Sequence, residues 1–179
     1  VITVSGSFHG RTLSMVSASA QPKFQQPYSP LYPGYVNVAF NDIEAIQSAT
    51  SEKSCAVMLE PIQGEGGVNV PSEGYLDQVR QWCDQCGILL ILDEVQTGMG
   101  RCGSLFAYQQ YGVEPDIISL AKGLGSGLPI GAIMAKKEAS VFSPGDHGST
   151  FGGNPVTCAA ACASLRYMLG KDIPSHAAM

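Results

Sequence analysis

The run Ile88-Leu89-Leu90-Ile91-Leu92-Asp93 decides the fold, because five successive large aliphatic residues end in a carboxylate. A strand that is apolar at every position, rather than at every second one, is expected to be buried on both faces of its sheet. A second such run, Asp116-Ile117-Ile118-Ser119-Leu120-Ala121, leads directly into Lys122. An acidic and a basic side chain therefore follow two apolar strands.

Short β-rich runs alternate with helical patterns along the rest of the chain. This alternation predicts an α/β fold with a mostly parallel, mixed central sheet and helices on both faces. Ligands of such sheets bind beyond the carboxyl ends of the strands, where Asp93 and Lys122 are expected. The segment Gln21–Tyr35 carries four prolines and is predicted to be a long loop. The predicted strands are Val1–Val4, Val36–Phe40, Ala56–Glu60, Ile88–Asp93, Ile117–Leu120 and Ile130–Ala135.

Three helices are predicted from apolar periodicity and from their end signals. The first begins at Asn41-Asp42, ahead of Ile43 and Ile46. The second runs from about Glu73 to Cys86 and stops at Gly87. The third begins at Asn154-Pro155 and stops at Gly170.

The composition places the chain among globular proteins. It has 179 residues, of which 45% are hydrophobic and 14% charged, with a formal charge of −5. This balance gives no reason to expect a nucleic acid or an anionic membrane as partner. No apolar run reaches the roughly 18 residues that span a bilayer. The chain begins without Met, inside an apparent strand, so we expect it to be part of a longer protein.

The six cysteines are expected to be reduced and to act as small apolar residues. Cys83-Asp84-Gln85-Cys86 has the spacing of some metal and redox motifs, but no second pair or histidine cluster completes a zinc site. We therefore predict no metal, and a cytoplasmic location, or an organelle if the source is eukaryotic.

Lys122 and Asp93 carry the clearest chemical signal. Glycines follow Lys122 at once, so we expect the amine to be buried and neutral, as Schiff-base chemistry requires. Asp93 can face a protonated pyridine nitrogen, or it can simply cap the next turn. Gln96 can bond a ring hydroxyl, or be an ordinary loop amide. Together they are typical of a pyridoxal phosphate (PLP) site.

Two further strand-end loops add candidate groups. Phe8 can stack on a flat ring, and Arg11 can bind a substrate carboxylate through its two-pronged guanidinium. His9, between them, is better explained as a stacking or lining residue than as a general base. Glu65, in Glu60-Pro61-Ile62-Gln63-Gly64-Glu65-Gly66-Gly67, is a polar arm of the pocket or a plain loop carboxylate.

The loop His147-Gly148-Ser149-Thr150-Phe151-Gly152-Gly153-Asn154-Pro155 places two hydroxyls before a helix N-terminus. Hydroxyls and free backbone N–H groups there suit a phosphate, although an ordinary helix-entry loop has the same composition. The order of residues is not that of a nucleotide P-loop.

These motifs, in this order and at these separations, resemble the class III (fold-type I) PLP-dependent aminotransferases, and most closely the acetylornithine/ornithine aminotransferase branch. The resemblance rests on Ser7–Arg11, Glu60–Gly67, Asp93–Gly103, Leu120–Gly127 and His147–Pro155 and covers nearly the whole chain. It implies a single partial PLP-binding large domain over residues 1–179. The N-terminal segment and the C-terminal small domain of the family would lie outside this chain.

The resemblance also assigns roles to residues. Lys122 would form the Schiff base with PLP and then carry a proton, with Asp93 paired to the pyridine nitrogen as the second catalytic residue. Thr150 would reach the cofactor phosphate of a partner subunit in a homodimer. Arg11 would bind the substrate α-carboxylate, with Glu65 and Ser149 beside it. The residues assigned to the cofactor are Phe8, Asp93, Glu94, Val95, Gln96, Lys122 and Thr150.

The activity that the resemblance implies is transfer of the δ-amino group of N-acetylornithine or ornithine to 2-oxoglutarate, in arginine or ornithine metabolism. Amino-acid and 2-oxo-acid substrates are the expected partners. Two alternatives stay open. One is another class III enzyme that acts on 4-aminobutyrate or a similar ω-amine, and the other is an inactive fragment with a binding or scaffold role.

Overall fold

A computed structural model describes all 179 residues, and its centre is one six-stranded sheet. The strand order is β2-β1-β3-β4-β5-β6, with every neighbouring pair parallel except β5 and β6. The predicted mixed, mostly parallel sheet is therefore confirmed. The strands are β1 (Ile2–Val4), β2 (Val36–Val38), β3 (Ala56–Leu59), β4 (Leu89–Asp93), β5 (Ile117–Leu120) and β6 (Ala132–Ala135).

Seven α-helices and three short 3-10 turns connect the strands. Four of these helices were not predicted, and each has only four to six residues. The 3-10 turns span Gln26–Tyr28, Lys122–Gly125 and Lys137–Ala139. The helices are α1 (Leu13–Ala18), α2 (Pro22–Gln25), α3 (Ile43–Ala49), α4 (Tyr75–Cys86), α5 (Tyr108–Tyr111), α6 (Pro155–Gly170) and α7 (Ile173–Ala177).

The ends of the three longest helices follow the predicted signals. The Asp42 carboxylate accepts a hydrogen bond from the Ala45 N–H at 2.9 Å and caps α3. Asn154 accepts from the Thr157 N–H at 3.1 Å and caps α6 ahead of Pro155. Gly87 ends α4 in the left-handed conformation, with φ of 64°. These caps satisfy backbone groups that a helix end would otherwise leave unpaired.

The core lies between the sheet and α4. Val57 of β3 is aligned with Leu90 of β4, and both side chains are fully buried. Val79 and Cys83 of α4 belong to the same buried cluster. Apolar residues at three- and four-residue steps give α4 one face that covers the strands, and each large buried side chain contributes about 1.5–3 kcal/mol.

The second face of the sheet is covered by α1. Side chains alternate along a strand, so Thr3 points away from the core side chains of Ile2 and Val4. The Thr3 hydroxyl accepts a hydrogen bond from Asn37 Nδ2 at 2.6 Å, and the same amide donates to the Ser17 carbonyl of α1 at 3.4 Å. Helices thus lie on both faces, as predicted.

The fold brings four loops to one edge of the sheet. Strands β1, β3, β4 and β5 are parallel, so their carboxyl ends share that edge. The ends of these strands and the loops that follow them carry the predicted site residues other than Ser149 and Thr150, which follow β6. No helix has the length and apolar character to cross a membrane.

Candidate active site

Lys122 begins the 3-10 turn that follows β5, and its backbone is left-handed, with φ of 44°. This conformation is uncommon for a residue with a side chain and is concentrated at functional sites. The structure corrects one expectation, because Lys122 is exposed rather than buried. Strand β5 ends at Leu120, and the chain turns outward before the lysine.

Gln96 connects Lys122 to a second loop. The Gln96 amide is oriented so that its oxygen faces hydrogen-bond donors and its nitrogen faces acceptors. In this orientation Gln96 Oε1 accepts from Lys122 Nζ at 3.1 Å and from the Glu65 N–H at 3.3 Å. Val95, Gln96 and Lys122 line a cavity of about 270 Å³ together with Gly98, Met99, Arg101 and Gly123. Glu65, Gln96 and Lys122, which come from three separate motifs, therefore meet at Gln96.

Asp93 is the last residue of β4 and is buried. Its Oδ2 lies 2.8 Å from Nδ1 of His9, whose side chain is fully buried, and its Oδ1 accepts from the Val95 N–H at 3.1 Å. The backbone N–H of His9 donates to Ser19 Oγ at 2.8 Å. These contacts hold the carboxylate in one orientation, so His9 is a support for Asp93, a role that the sequence did not indicate.

Phe8 and Arg11 lie together in the loop after β1. The Phe8 ring packs edge-on against Phe24, with 5.6 Å between centroids. Arg11 Cζ lies 4.0 Å from the Phe24 ring centroid and 5.2 Å from that of Phe8. Arg11 makes no hydrogen bond or ion pair, so its N–H groups remain available to an incoming carboxylate.

Glu65 is already engaged by neighbouring side chains. Gln21 Nε2 donates to Glu65 Oε2 at 2.6 Å, and Lys23 Nζ lies 3.5 Å from Glu65 Oε1. Gln21 is buried, whereas Lys23 is 62% exposed. Both belong to the stretch that was predicted to be a long loop, part of which forms α2.

Glu60 joins the loops after β1 and β3. It is buried, and its carboxylate accepts from the Phe8 N–H at 2.9 Å and from the Gly64 N–H at 3.1 Å. Burial raises the pKa of Glu60, and these two donors and His9 offset part of that rise. Glu60 therefore positions the ring of Phe8 relative to the Glu65 loop. Its place at the end of a predicted strand was the only sequence signal for this role.

Glu94 points away from the groups around Lys122. Its carboxylate accepts from the Thr97 hydroxyl and from the N–H groups of Ala107 and Tyr108 at 3.1 and 2.8 Å. Burial raises the pKa of Glu94, and the three donors offset part of the rise. Successive side chains diverge at the end of a strand, so Asp93 and Glu94 anchor different loops.

Ser149 and Thr150 lie in an exposed loop, and neither hydroxyl is hydrogen-bonded to another predicted site residue. Ser149 Oγ accepts from the Gly152 N–H at 3.0 Å, within the loop itself. The following residues, Phe151–Asn154, line a cavity of about 570 Å³ with Ala121, the residue before Lys122. The loop therefore approaches the strand end, but the two hydroxyls do not reach it within this chain.

The sequence and the fold are both similar to those of known aminotransferases. A family model described as aminotransferase class-III matches residues 1–178. The acetylornithine aminotransferase of Methanopyrus kandleri is 50% identical over 177 residues, which make up 98% of this chain and 46% of that protein. The ornithine aminotransferase 2 of Staphylococcus saprophyticus is 49% identical over 178 residues, or 98% of this chain and 45% of that protein.

A solved structure supports the same relationship. The ornithine aminotransferase of Toxoplasma gondii superposes with a TM-score of 0.92 at 39% identity, and the match covers 97% of this chain and 42% of that one. The chain spans a little under half the length of the relatives it matches. The match of the family model over nearly every residue and the shared sheet confirm the predicted resemblance. The chain belongs to the class III aminotransferase family.

Proposed function

We propose that the protein containing this chain is a PLP-dependent aminotransferase that moves the δ-amino group of N-acetylornithine or ornithine to 2-oxoglutarate. The observation that carries the proposal is the meeting of Lys122, Gln96 and the Glu65 loop at the carboxyl edge of the sheet. Relatives named acetylornithine aminotransferase and ornithine aminotransferase 2 support the choice of amino donor.

The residues present fit the cofactor. The cavity at Lys122 offers an amine, the Gln96 amide and the Val95 side chain. Asp93 offers a buried carboxylate whose orientation is fixed by His9. The related Toxoplasma gondii structure has PLP at partial occupancy in its active site. When bound, PLP supplies an electron sink for the negative charge that develops at the amino-bearing carbon.

Each residue of this chain then has a defined task. Lys122 would hold the cofactor and would then remove and return a proton at the substrate carbon. Asp93 would keep the pyridine nitrogen protonated, because a nearby carboxylate favours the charged form. Gln96 would hold the ring hydroxyl, and Phe8 would pack on the ring. Glu94 supports the adjacent loop.

Arg11 takes the substrate carboxylate in this proposal, with Glu65 beside it and Ser149 reaching it from a second copy of the chain. The free guanidinium of Arg11 is suited to this task, because a guanidinium and a carboxylate form two parallel hydrogen bonds. Amino acids and 2-oxo acids are the proposed substrates. The metabolic setting would be arginine or ornithine metabolism, in the cytoplasm or in an organelle of a eukaryote.

A homodimer is the proposed assembly of the full-length protein, and residues 1–179 would be the central part of its large domain. Support comes from the loop that holds Thr150, where Val141, Phe142 and Phe151 are 77%, 74% and 83% exposed. Large apolar side chains exposed together are typical of a surface that a partner covers. A second copy seated there would allow Thr150 to reach the cofactor phosphate in its partner.

The proposal is tested by adding PLP to the full-length protein and following absorbance above about 400 nm, where the cofactor bound to a lysine absorbs. We expect this band in the wild type and in Lys137→Ala, which removes an exposed lysine without an ion pair. Lys122→Ala should lose the band and the formation of glutamate from 2-oxoglutarate. A band that is unchanged in Lys122→Ala would contradict the proposal.

Two further outcomes separate the alternatives. Faster turnover with 4-aminobutyrate than with either ornithine compound would assign the protein to another class III activity. PLP binding by the full-length protein, but not by residues 1–179 alone, would identify this stretch as an inactive fragment of an active enzyme.

A further inference from the structure

The segment Gln21–Phe24, at the start of α2, contacts both charged groups of the proposed substrate pocket. Gln21 Nε2 donates to Glu65 at 2.6 Å and also to the carbonyls of Gly6 and Ser7 at 3.3 and 3.1 Å. Because Gln21 is buried, these contacts fix its amide relative to the loop after β1. Gln21 therefore ties the Glu65 carboxylate to the loop after β1.

The two opposite charges of the pocket, Arg11 and Glu65, have different partners in α2. Arg11 rests on the Phe24 ring at 4.0 Å, and Lys23 lies over the same ring at 4.5 Å. Lys23, and not Arg11, forms the ion pair with Glu65. Arg11 therefore remains without an acidic partner, while the negative charge of Glu65 is balanced inside the chain.

We propose that Lys23 is a specificity-determining residue, which balances Glu65 so that the pocket favours an amino donor with a neutral, acylated far nitrogen over one with a free ammonium. The inference rests on the proposed function. N-acetylornithine and ornithine both carry a carboxylate and a nitrogen on the carbon far from the reacting amine. Arg11 can take the carboxylate of either compound, so the far nitrogen decides between them.

The acetamido nitrogen of N-acetylornithine and the free ammonium of ornithine interact differently with Glu65. An acetamido N–H is neutral and donates one hydrogen bond to a carboxylate that keeps its Lys23 partner. A free ammonium gains its full attraction to Glu65 only after Lys23 has moved away, because two cations at one carboxylate repel each other. Lys23 is 62% exposed on a flexible stem, so the preference is a modest one.

The test measures kcat/KM for both donors with the PLP-loaded full-length protein. Lys23→Met should lower the ratio of the N-acetylornithine value to the ornithine value by about 2- to 5-fold, the range set by one partly exposed ion pair. Lys23→Arg should keep the wild-type ratio, because the positive charge remains. Lys53→Met, which removes an exposed lysine that has no ion pair, is the matched control and should also keep it.

Three results would overturn the inference. If Lys23→Met turns over both donors normally and keeps the wild-type ratio of their kcat/KM values, the inference is wrong, whereas the proposed function is unaffected. Loss of the absorbance band above about 400 nm in Lys23→Met would assign this lysine to cofactor binding or folding instead. Absence of turnover of both donors by the wild type would remove the proposed function, and the inference with it.

Discussion

Neighbouring residues at the end of β4 have separate tasks. Asp93 faces His9 and the candidate site, whereas Glu94 binds backbone donors of the loop that leads into α5. The family resemblance assigned both carboxylates to the cofactor. The direction of each side chain beyond the strand depends on how the chain turns, which the sequence does not reveal. Only the hydrogen-bond partners distinguish the two roles.

Replacing Glu94 tests this division. Glu94→Ala leaves the buried N–H groups of Ala107 and Tyr108 without an acceptor and should lower the free energy of unfolding by about 3 kcal/mol. Urea denaturation measures this loss, and isothermal titration measures PLP affinity. Weaker PLP binding at unchanged stability would instead give Glu94 a direct role at the cofactor.

Gly64 controls the position of Gln96. A Cβ at residue 64 would lie 2.7 Å from Cδ of Gln96 and 2.7 and 3.0 Å from the two terminal atoms of its amide, and the 2.7 Å distances are closer than real contacts allow. Gly64→Ala should push this amide away from Lys122 and weaken PLP binding about 5-fold, the value of roughly one hydrogen bond. Stability should change little, because a flexible side chain can move.

Gly170→Ala is the matched control, since nothing lies within 4 Å of the added Cβ. Fluorescence titration with PLP compares both variants with the wild type. Equal PLP affinity in Gly64→Ala and in the wild type would argue against the contact between Gln96 and Lys122.

At the scale of elements, one carboxylate holds α4, β4, β5 and β6 together. Asp116 Oδ2 accepts from the Leu90 N–H and from Arg80 Nη1, each at 2.8 Å, and Oδ1 lies 3.4 Å from Lys136 Nζ. Burial on its own raises the pKa of Asp116, but these donors and cations outweigh it, so the pKa is lowered overall.

Because the pKa of Asp116 is lowered in the folded state, the contribution of this carboxylate to stability depends on pH. The folded state binds the Asp116 proton less tightly than the unfolded state, in which the pKa is about 3.9. The stabilisation is therefore complete above that pH and is lost as the pH falls through the lower, folded pKa. Asp116→Asn should be less stable than the wild type at pH 7, and the difference should narrow below about pH 4.

Urea unfolding at several pH values measures that difference. Asp84→Asn, which removes the more exposed carboxylate paired with Arg80, should have a smaller effect. A difference between Asp116→Asn and the wild type that is independent of pH would contradict a role for the charge.

The sequence predicted all six strands, with their ends within two residues, because short runs rich in apolar residues alternate with helical patterns along the chain. It missed α1 and α2, since helices of six and four residues show no periodicity and prolines suggested a loop. The left-handed turn at Lys122 was missed for a related reason, because it depends on how the chain leaves β5. The local sequence pattern therefore predicted the sheet, but it did not predict the short helices and the turn that surround the site.

For the whole molecule, the proposed homodimer raises the question of which subunit supplies Thr150 to each site. Thr150 is exposed, and its hydroxyl is hydrogen-bonded to no predicted cofactor residue of its own chain. In a homodimer in which Thr150 acts on the partner's cofactor, mixing Lys122→Ala with Thr150→Val subunits restores one intact site in each mixed dimer. That site joins Lys122 of one variant with Thr150 of the other.

Subunits of the two variants, each of which is expected to lack an intact site on its own, are unfolded, mixed in equal amounts and refolded with a limiting concentration of PLP. About a quarter of the wild-type activity should return, because half of the dimers are mixed and each has one intact site. Mixtures that remain inactive would contradict a role of Thr150 across the subunit interface.

Chemical trapping of the cofactor on its lysine identifies directly the residue that holds PLP. The PLP-loaded full-length protein is reduced with borohydride, which makes the bond between cofactor and lysine permanent, and its peptides are analysed by mass spectrometry. We predict that the cofactor mass is found on Lys122 and on no other lysine. A cofactor bound to a different lysine, or to none, would contradict the assignment of Lys122.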